Sequence, residues 1–507
     1  MCKFLTASFF CCIVVYHLGA QILPKENSTL NYRLVGFSFP EKQGVSKYKV
    51  EVATGSYTDE ALFAQNIIKT LSGDKNKIIG EVPSFGKEYT WRLAYTGNDT
   101  KETHSQLHHF TTGITPQVDT NISHLKIIKN AEKYKDAYIL ADGTGVLYDM
   151  NGAPLWYLPN VSGSSWQAID LLDTKISAKG TVTYIHTNQI YETDYNGKIL
   201  WKGPNSGKVG GGKTEDYHHE FTRLDNGNYM VFGRENVAWK MPDTGSRAIS
   251  AVGATRDSNN VLRQNIVFGT LIEYDKHGNV VWSWKSSNYA KECDLYNSKT
   301  NNWRYDINDI HENAFYFDQQ AGVIYISYKN IDRIIKIKYP EGTVLNTYGE
   351  TYQPGIKGKG NNWFCHQHSC RRSSEGYLYL YNNNDCNRNE LPKLVMMKEP
   401  VSPTDTLQKI WEYNCTMDGI AETGPAINMF TGGGNIFELP GGELFANMDS
   451  KRYNKAFIVS RDKKVLWSGL FEQLDPRSNR WKSFSNYRVS IITDHKLLEN
   501  LIWNQEM

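Results

Sequence analysis

The stretch YDMNGAPLW (148–156) contains an Asp-x-Asn-Gly turn followed by a tryptophan, and this pattern returns along the chain. Asn-Gly between two alternating runs predicts a two-residue β-hairpin turn, because both residues adopt positive φ at little cost. Closely similar stretches are TDYNGKILW (193–201), YDKHGNVVW (274–282) and a weaker copy over 462–467. Another strand pair, such as LDNGNYMVF (224–232), precedes each hairpin, so a unit holds four strands over about 45–60 residues.

Units of this length are typical of the blades of a β-propeller, and we expect six of them. They open near residues 125, 163, 216, 307, 364 and 430. Residues 339–342 and 409–411 fill two of the hairpin positions, and insertions at 203–217 and 233–264 lengthen the third unit. The tail, 468–507, is expected either to add a closing strand or to pack outside.

The segment before the repeats also alternates apolar and polar residues between turn clusters, as in YTWRLAYTG (89–97). This pattern is typical of an immunoglobulin-like or fibronectin type III β-sandwich. The sequence therefore predicts an all-β chain, with a small β-sandwich over 21–117 and a six-bladed β-propeller over 118–507.

The first 20 residues carry Lys3, an apolar run and then small residues, a pattern typical of a secretory signal peptide. No later segment reaches the ~18 apolar residues needed to span a bilayer, so we expect an exported protein, periplasmic or extracellular, without a membrane partner. A net charge of +2 gives no indication of nucleic-acid binding. The sequence leaves open whether the protein is a monomer or a homodimer.

Five cysteines follow the first 20 residues, namely Cys293, Cys365, Cys370, Cys386 and Cys415. An odd number leaves at least one free thiol in an oxidising compartment. By proximity in sequence, Cys365 and Cys370 are the expected disulfide pair.

Three histidines, His219, His311 and His368, each precede a strand of the inner pair of a unit. Equivalent positions of successive blades converge on the propeller axis, so these histidines are expected to meet in one pocket. Lys329 is expected at the far end of the hairpin that follows His311, where a cation would keep the histidines neutral. A fourth copy has Gly434 in place of the histidine, which leaves room that a substrate could use.

Other interpretations of these motifs stay open. A histidine at a blade turn can be a structural brace. The run CHQHSC (365–370), if extended, places His366, His368 and Cys370 on one face, which suits zinc, although the usual second ligand pair is missing. The loop GKVGGGKT (207–214) formally matches a P-loop, but no helical pattern follows it, so we expect no nucleotide.

Three longer stretches carry a family resemblance: HHEFTRLDNGNYMVF (218–232), DINDIHENAFYFD (306–318) with YISYKNIDRIIKIK (325–338), and FCHQHSCRRSSEGYLYLYNN (364–383). Together they resemble the arylsulfate sulfotransferases that use no nucleotide sulfate donor. The resemblance covers most of the chain and implies a sulfuryl transfer between phenols, without cofactor or metal.

The resemblance also implies residue roles. His368 would be transiently sulfated, and His311, Asn313 and His219 would surround the transferred group. Lys329 stands where the family usually has arginine, which removes a planar fork for two sulfate oxygens. Two alternatives are a propeller that only binds sulfated or aromatic ligands, favoured by Lys329, and a metal-dependent polysaccharide lyase or hydrolase with the histidines as ligands.

Overall fold

A computed structural model describes twelve segments of the chain, and nearly all of their regular structure is β-strand. The segments are 21–97, 101–159, 170–240, 254–291, 296–297, 302–303, 309–349, 363–384, 391–401, 405–415, 432–449 and 454–504. The chain divides into two compact units, one up to Gly113 and one from Ile114 onward. The predicted signal segment, 1–20, lies outside the described residues.

The first unit contains eight strands and one short helix. In chain order they are β1 (Ser28–Leu30), β2 (Leu34–Ser38), β3 (Tyr48–Thr54), α1 (Glu60–Gln65), β4 (Ile67–Gly73), β5 (Lys77–Glu81), β6 (Glu88–Thr96), β7 (Glu102–His104) and β8 (His108–Thr112). One sheet has the order β1-β8-β6-β3-β4 with β7 on β6, and the other pairs β2 with β5. The Phe37 ring on β2 lies edge-on to Trp91 on β6 at 5.2 Å, so aromatic side chains join the two sheets.

The second unit contains the remaining strands. In chain order they are β9 (Ser123–Lys129), β10 (Tyr138–Ala141), β11 (Val146–Asp149), β12 (Pro154–Tyr157), β13 (Leu171–Ile176), β14 (Val182–His186), β15 (Gln189–Thr193), β16 (Ile199–Lys202), β17 (His218–Arg223), β18 (Tyr229–Lys240), β19 (Thr255–Arg256), β20 (Leu262–Tyr274), β21 (Val280–Lys285), β22 (Tyr296–Asn297), β23 (Asn302–Trp303), β24 (Glu312–Asp318), β25 (Val323–Tyr328), β26 (Arg333–Lys338), β27 (Val344–Gly349), β28 (His368–Arg372), β29 (Leu378–Asn382), β30 (Lys393–Lys398), β31 (Gln408–Asn414), β32 (Asn435–Glu438), β33 (Leu444–Met448), β34 (Lys455–Val459), β35 (Val465–Asp475), β36 (Arg480–Ser483) and β37 (Val489–Ile492). The helices among its described residues are a 3₁₀ turn (Glu132–Tyr134), α2 (Ser286–Tyr289) and α3 (His495–Trp503).

Six antiparallel sheets account for most of these strands. Numbered from first to sixth, their orders are β37-β10-β11-β12, β13-β14-β15-β16, β17-β18-β20-β21 with β19 on β20, β24-β25-β26-β27, β28-β29-β30-β31, and β32-β33-β34-β35 with β9 and β36 on β35. The two middle strands of the fourth sheet are mostly apolar and buried, whereas β27 alternates exposed and half-buried residues. Middle strands are therefore covered on both faces, and outer strands meet solvent.

The chain ends of the second unit lie in neighbouring sheets. The strand β37 is the innermost strand of the first sheet, paired with β10, while β9 pairs with β35 of the sixth sheet. The tail thus supplies a closing strand, one of the two outcomes that the sequence left open. The repeat expected to open near residue 125 instead begins at β10, because β9 belongs to the sixth sheet.

The first strands of successive sheets contact each other in order, and β32 of the sixth sheet contacts β37, so the order closes into a circle. At every junction a polar side chain of one sheet bonds to the backbone of the next. The side chain lies on a first strand at five junctions, and at the junction of the first and second sheets it belongs to Asp142, which directly follows β10. These six hydrogen bonds run from Asp173 N to Asp142 Oδ2 (3.1 Å), Phe221 N to Asp173 Oδ2 (2.7 Å), Phe315 N to Glu220 Oε2 (2.9 Å), Asn313 Nδ2 to Gln367 O (2.7 Å), Ile436 N to Ser369 Oγ (3.3 Å) and Val489 N to Asn435 Oδ1 (3.1 Å).

The repeated tryptophans form a second set of links at the outer strands. Four indole N–H groups donate to a turn carbonyl of the next sheet: Trp156 to Tyr195 (2.7 Å), Trp282 to Pro340 (2.7 Å), Trp411 to Arg461 (2.8 Å) and Trp467 to Met150 (3.0 Å). Trp201 instead stacks on Tyr229 of the next sheet with centroids 3.7 Å apart. The tryptophans and turns of the repeated sequence pattern therefore contact each other between neighbouring sheets.

The expected disulfide between Cys365 and Cys370 is wrong. Cys370 is a free, buried thiol, and so is Cys415. The Cys370 side chain packs in the apolar cluster with Leu378 and Val395. Cys293 and Cys386 lie outside the described residues. Within the described part of the chain, no helix is long and apolar enough to cross a membrane.

Replacing Trp467 with phenylalanine should weaken the junction between the sixth and first sheets. Phenylalanine has no ring N–H, so the Met150 carbonyl loses the hydrogen bond from Nε1. A buried acceptor left unpaired costs about 1–3 kcal/mol. We expect the free energy of unfolding, measured by urea denaturation, to fall by that amount. Trp481→Phe is the matched control, because Trp481 is 39% exposed and Trp467 is fully buried. Equal losses in the two variants would contradict the role given to this indole.

Candidate functional site

The three sequence-predicted histidines lie where first strands are irregular. The pairing register shifts between His218 and Phe221 on β17, at Glu312 on β24, and between His368 and Arg371 on β28. A bulge turns the side chains beside it away from the regular alternation. His219 and His311 have φ values of 59° and 60°, a left-handed conformation that is costly for a residue with a Cβ.

His219 and His311 meet directly, in a chain of ring-nitrogen contacts. His218 Nε2 lies 3.1 Å from the Gly233 carbonyl, and its Nδ1 contacts His219 Nδ1. His219 Nε2 lies 3.1 Å from His311 Nε2, and His311 Nδ1 lies 3.3 Å from Asp309 Oδ2. The convergence that the repeat predicted therefore holds for this pair.

Hydrogen-bond roles along this chain follow from its two ends. The carbonyl of Gly233 only accepts, so His218 donates from Nε2, receives at Nδ1 from His219, and His219 Nε2 then accepts from His311. Asp309 also only accepts when ionised. Burial opposes its ionisation, but His311 and Arg234 lower the pKa of Asp309 overall. Every contact is satisfied when His311 carries a proton on both ring nitrogens.

His368 is buried, and its tautomer is fixed by an asparagine. His368 Nδ1 lies 2.6 Å from Asn383 Oδ1, and Asn383 Nδ2 donates to the Gly433 carbonyl at 2.9 Å. Since the Asn383 amide nitrogen is used on Gly433, its oxygen must accept from His368. The proton of neutral His368 therefore sits on Nδ1, and Nε2 keeps its lone pair.

Burial and nearby charge hold these histidines neutral. Burial, Arg488 and Lys329 set the pKa of His368 well below its usual range, while the bond to Asn383 partly opposes them. Burial, His218 and His311 do the same for the pKa of His219. Burial, and then Arg234, lowers the pKa of His218 to about 3. The cation expected near the histidines is thus Lys329 together with two arginines.

Tyr487 and Arg488, from the segment leading into β37, complete the site. The Tyr487 ring lies 5.6 Å from the His219 ring and 6.0 Å from the His368 ring, edge-on to each. Its hydroxyl donates to the Asn313 carbonyl at 3.3 Å, and Arg488 donates to the same oxygen at 2.8 Å. The sequence did not indicate either residue, because the tail carries no copy of the repeat.

The other two predicted residues connect to the histidines through the backbone. Asn313 donates from Nδ2 to the carbonyl of Gln367, the residue before His368. The Lys329 backbone N–H donates to the His311 carbonyl at 2.9 Å, which places Lys329 at the end of that hairpin. All five sequence-predicted residues therefore belong to one network.

Two expectations about this region are wrong. The run CHQHSC is not extended, because His366 and Ser369 have φ near +50°, so its alternate side chains do not share a face. Gly434 leaves no free room, since a Cβ there would lie 2.4 Å from the Tyr381 ring. Gly434 instead permits the close approach of Tyr381.

The loop 207–214 binds its own anion. The backbone N–H groups of Val209 and Gly210 donate to the Glu215 carboxylate at 2.8 and 3.0 Å. The N–H groups of this loop are therefore satisfied by a carboxylate of the chain itself. In the part of the chain that the structure describes, no group of three or more His, Cys, Asp or Glu side chains is placed to hold a metal ion.

A cavity of about 340 Å³ opens beside the histidine chain. Its lining includes Gly210, Gly211, Arg234, Asn236 and Asp309. Because Asp309 also contacts His311, the cavity and the histidine chain share a wall. Its volume suits a single aromatic ring with a polar substituent.

The lowered histidine pKa values predict acid sensitivity. Unfolded histidines titrate near 6.5, so the stability that neutral burial provides is present above that pH and is lost as the pH falls. Between pH 7 and 5, the free energy of unfolding should fall less steeply with pH in His368→Gln than in the wild type. At the steepest point the two slopes should differ by about 1.4 kcal/mol per pH unit. Urea denaturation at several pH values gives both slopes, and their difference cancels the other titrating groups. Identical slopes would mean that His368 titrates normally in the folded protein.

Comparison with known proteins gives one family and a set of distant structures. None of the curated proteins matches the chain. A quinonprotein alcohol dehydrogenase-like protein from Bacteroides thetaiotaomicron matches at 10% identity and a TM-score of 0.34, over 94% of this chain and 99% of that one. The periplasmic gluconolactonase of Pseudomonas aeruginosa matches at 9% identity and a TM-score of 0.34, over 73% of this chain and 99% of that one. Scores this low support no conclusion about fold or function.

The family model described as Arylsulfotransferase (ASST) matches residues 125–419. The matched residues contain His219, His311, Asn313, Lys329 and His368. Because the match covers more than half of the 507 residues, the chain belongs to the arylsulfotransferase family.

Proposed function

We propose that this protein moves a sulfuryl group from a phenolic sulfate ester to another phenol, through a sulfated His368. The observation that carries the proposal is the bond from His368 Nδ1 to Asn383, which leaves a lone pair on Nε2 of a neutral, buried imidazole. A neutral imidazole nitrogen is a good nucleophile and needs no base. Membership of the arylsulfotransferase family supports the reaction class.

In the first half-reaction, Nε2 attacks the sulfur, the S–N bond forms, and the bond from sulfur to the aryl oxygen breaks. The leaving phenolate takes the electron pair and receives a proton from His311, the histidine whose contacts are satisfied with two protons. The sulfated ring keeps the proton on its Nδ1, which still donates to Asn383 Oδ1. It is therefore cationic, which makes it a good leaving group.

In the second half-reaction, an acceptor phenol gives its proton to His311 and attacks the same sulfur. The S–N bond breaks, its electron pair returns to Nε2, and the starting state is restored. Lys329 is assigned to the sulfuryl oxygens, since such transfers depend on positioning and on neutralising these oxygens. His219 is assigned to orienting His311, through the contact between their Nε2 atoms. The burial of His368 limits access of water, which favours a phenol over hydrolysis.

The proposal includes the architecture and the location. The closed order of six sheets supports a six-bladed β-propeller that carries the site, and the two sheets of the first unit support an immunoglobulin-like sandwich. The domain ranges 21–117 and 118–507 and export through residues 1–20 remain part of the proposal. A propeller that binds sulfated ligands without transfer is the second candidate, because Lys329 cannot grip two oxygens as arginine does.

The covalent step is tested with p-nitrophenyl sulfate as donor and phenol as acceptor. We expect ping-pong kinetics, and a gain of one sulfuryl group on the peptide that contains His368 when donor alone is added, detected by intact and peptide mass. His368→Ala should lower transfer by at least about a thousandfold. His277→Ala is the control, because His277 is exposed in a hairpin turn. Transfer that survives His368→Ala would remove this residue from the mechanism.

Substitutions of Lys329 distinguish sulfuryl transfer from ligand binding without transfer. Lys329→Arg should preserve or raise kcat/KM, because arginine adds a bidentate grip on the sulfuryl oxygens. Lys329→Met should lower it by about 10–100-fold, since the charge is lost. Steady-state kinetics with p-nitrophenyl sulfate measures both variants. Complete loss in Lys329→Arg would show that this side chain has another role.

A further inference from the structure

We propose that Arg488 is a positioning residue of the transfer reaction, which fixes the backbone around Asn313 and places a permanent charge next to His368. This inference rests on the proposed sulfuryl transfer. Arg488 lies outside the residues that the family model matches, 125–419. Its segment enters the site as the lead-in to the closing strand β37.

The contacts of Arg488 reach across the circle of sheets. It directly precedes β37 of the first sheet, yet its Nη2 donates to the Asn313 carbonyl of the fourth sheet at 2.8 Å. Its Nη1 lies 3.2 Å from the Gly434 carbonyl, beside the sixth sheet, and its backbone N–H donates to Asp142 at 2.8 Å. First and fourth sheets face each other in a circle of six, so this guanidinium lies near the axis.

The charge of Arg488 is permanent. The side chain is 3% exposed, and its Nη2 lies 3.8 Å from Glu220. Burial alone would lower the pKa of Arg488, but Tyr487, Glu220, Asp173 and Asp142 raise it overall. The guanidinium therefore stays charged throughout the pH range of an assay.

The Tyr487 ring connects Arg488 with His368. The Arg488 guanidinium lies over this ring, 5.0 Å from its centroid, and the ring lies edge-on to His368 at 6.0 Å. Among the described residues, the charged groups that most affect the pKa of His368 are, in order, Arg488, Lys329 and His311, all of which lower it. The bond from Asn383 acts in the opposite direction. Removing the positive charge of Arg488 should raise the pKa of His368 and restrict the neutral nucleophile to higher pH.

A simpler role would be to neutralise the buried Glu220. Arg371 offers a matched comparison, because its Nη2 lies 3.7 Å from the same carboxylate while its guanidinium sits over the Phe437 ring at 4.4 Å. Arg371 is not one of the groups that most affect His368. If Arg488 only neutralises Glu220, Arg488→Gln and Arg371→Gln should behave alike.

The test compares Arg488→Gln, Arg488→Lys and Arg371→Gln in single-turnover release of p-nitrophenol from p-nitrophenyl sulfate between pH 4 and 8. In Arg488→Gln the acid limb of the profile should move up by about one pH unit, the size expected for one lost charge at short range. In Arg371→Gln it should stay in place. In Arg488→Lys the limb should also stay, with a lower kcat and a similar KM, because lysine keeps the charge but cannot hold two carbonyls.

Equal profiles for the two glutamine variants would overturn the proposal. Should Arg488→Gln fail to fold, Arg488→Lys decides alone, and a wild-type kcat in it would also overturn the proposal. The proposed function fails separately, when wild-type protein given donor acquires no sulfuryl group on His368. A sulfated wild type with an unmoved limb in Arg488→Gln rejects only the role of Arg488.

Discussion

At every junction in the circle of six sheets, a hydrogen bond between a polar side chain and the backbone ties neighbouring sheets together. Because these groups are buried, a missing partner would cost about 1–3 kcal/mol at each junction. The first strands also carry His219 and His368, and His311 directly precedes one of them, β24. Glu220 directly follows His219, and Ser369 directly follows His368. The bonds that keep the sheets in order therefore also set the separations between the histidines, and a bulge on each strand adjusts where each imidazole points.

The sequence predicted much of this arrangement where a repeat carried the information. Equivalent positions on successive units must converge, so the meeting of His219 with His311 could be inferred from spacing alone. The place of Arg488 in the site could not be inferred in this way, because the tail has no turn-and-tryptophan pattern. It joins the first sheet by pairing with a strand about 350 residues earlier. The wrong prediction of a disulfide at Cys370 has a local cause. On a bulged strand, closeness in sequence does not determine where a side chain points, and the Cys370 side chain turns into the apolar core.

The three imidazoles of the site have different surroundings. Burial and neighbouring positive charge lower the pKa values of His368 and His219, whereas His311 has the carboxylate of Asp309 beside its Nδ1. In the proposed mechanism, these separate environments let one histidine act as nucleophile and another as proton donor at a single pH. Burial lowers the pKa values of His368 and His219 most strongly, and Arg488, Lys329 and Arg234 add to its effect.

The pairing of β9 with the sixth sheet and of β37 with the first has a consequence for biosynthesis. The ribosome delivers the three histidines long before residues 487–492, so a growing chain holds every reactive imidazole without Tyr487 or Arg488 beside them. Closure of the circle and completion of the pocket are then the same event. A polypeptide that ends before residue 487 has the three histidines, Lys329 and Arg234, but lacks the guanidinium of Arg488 and the aromatic ring of Tyr487. The proposed transfer would then depend on completion of the whole circle.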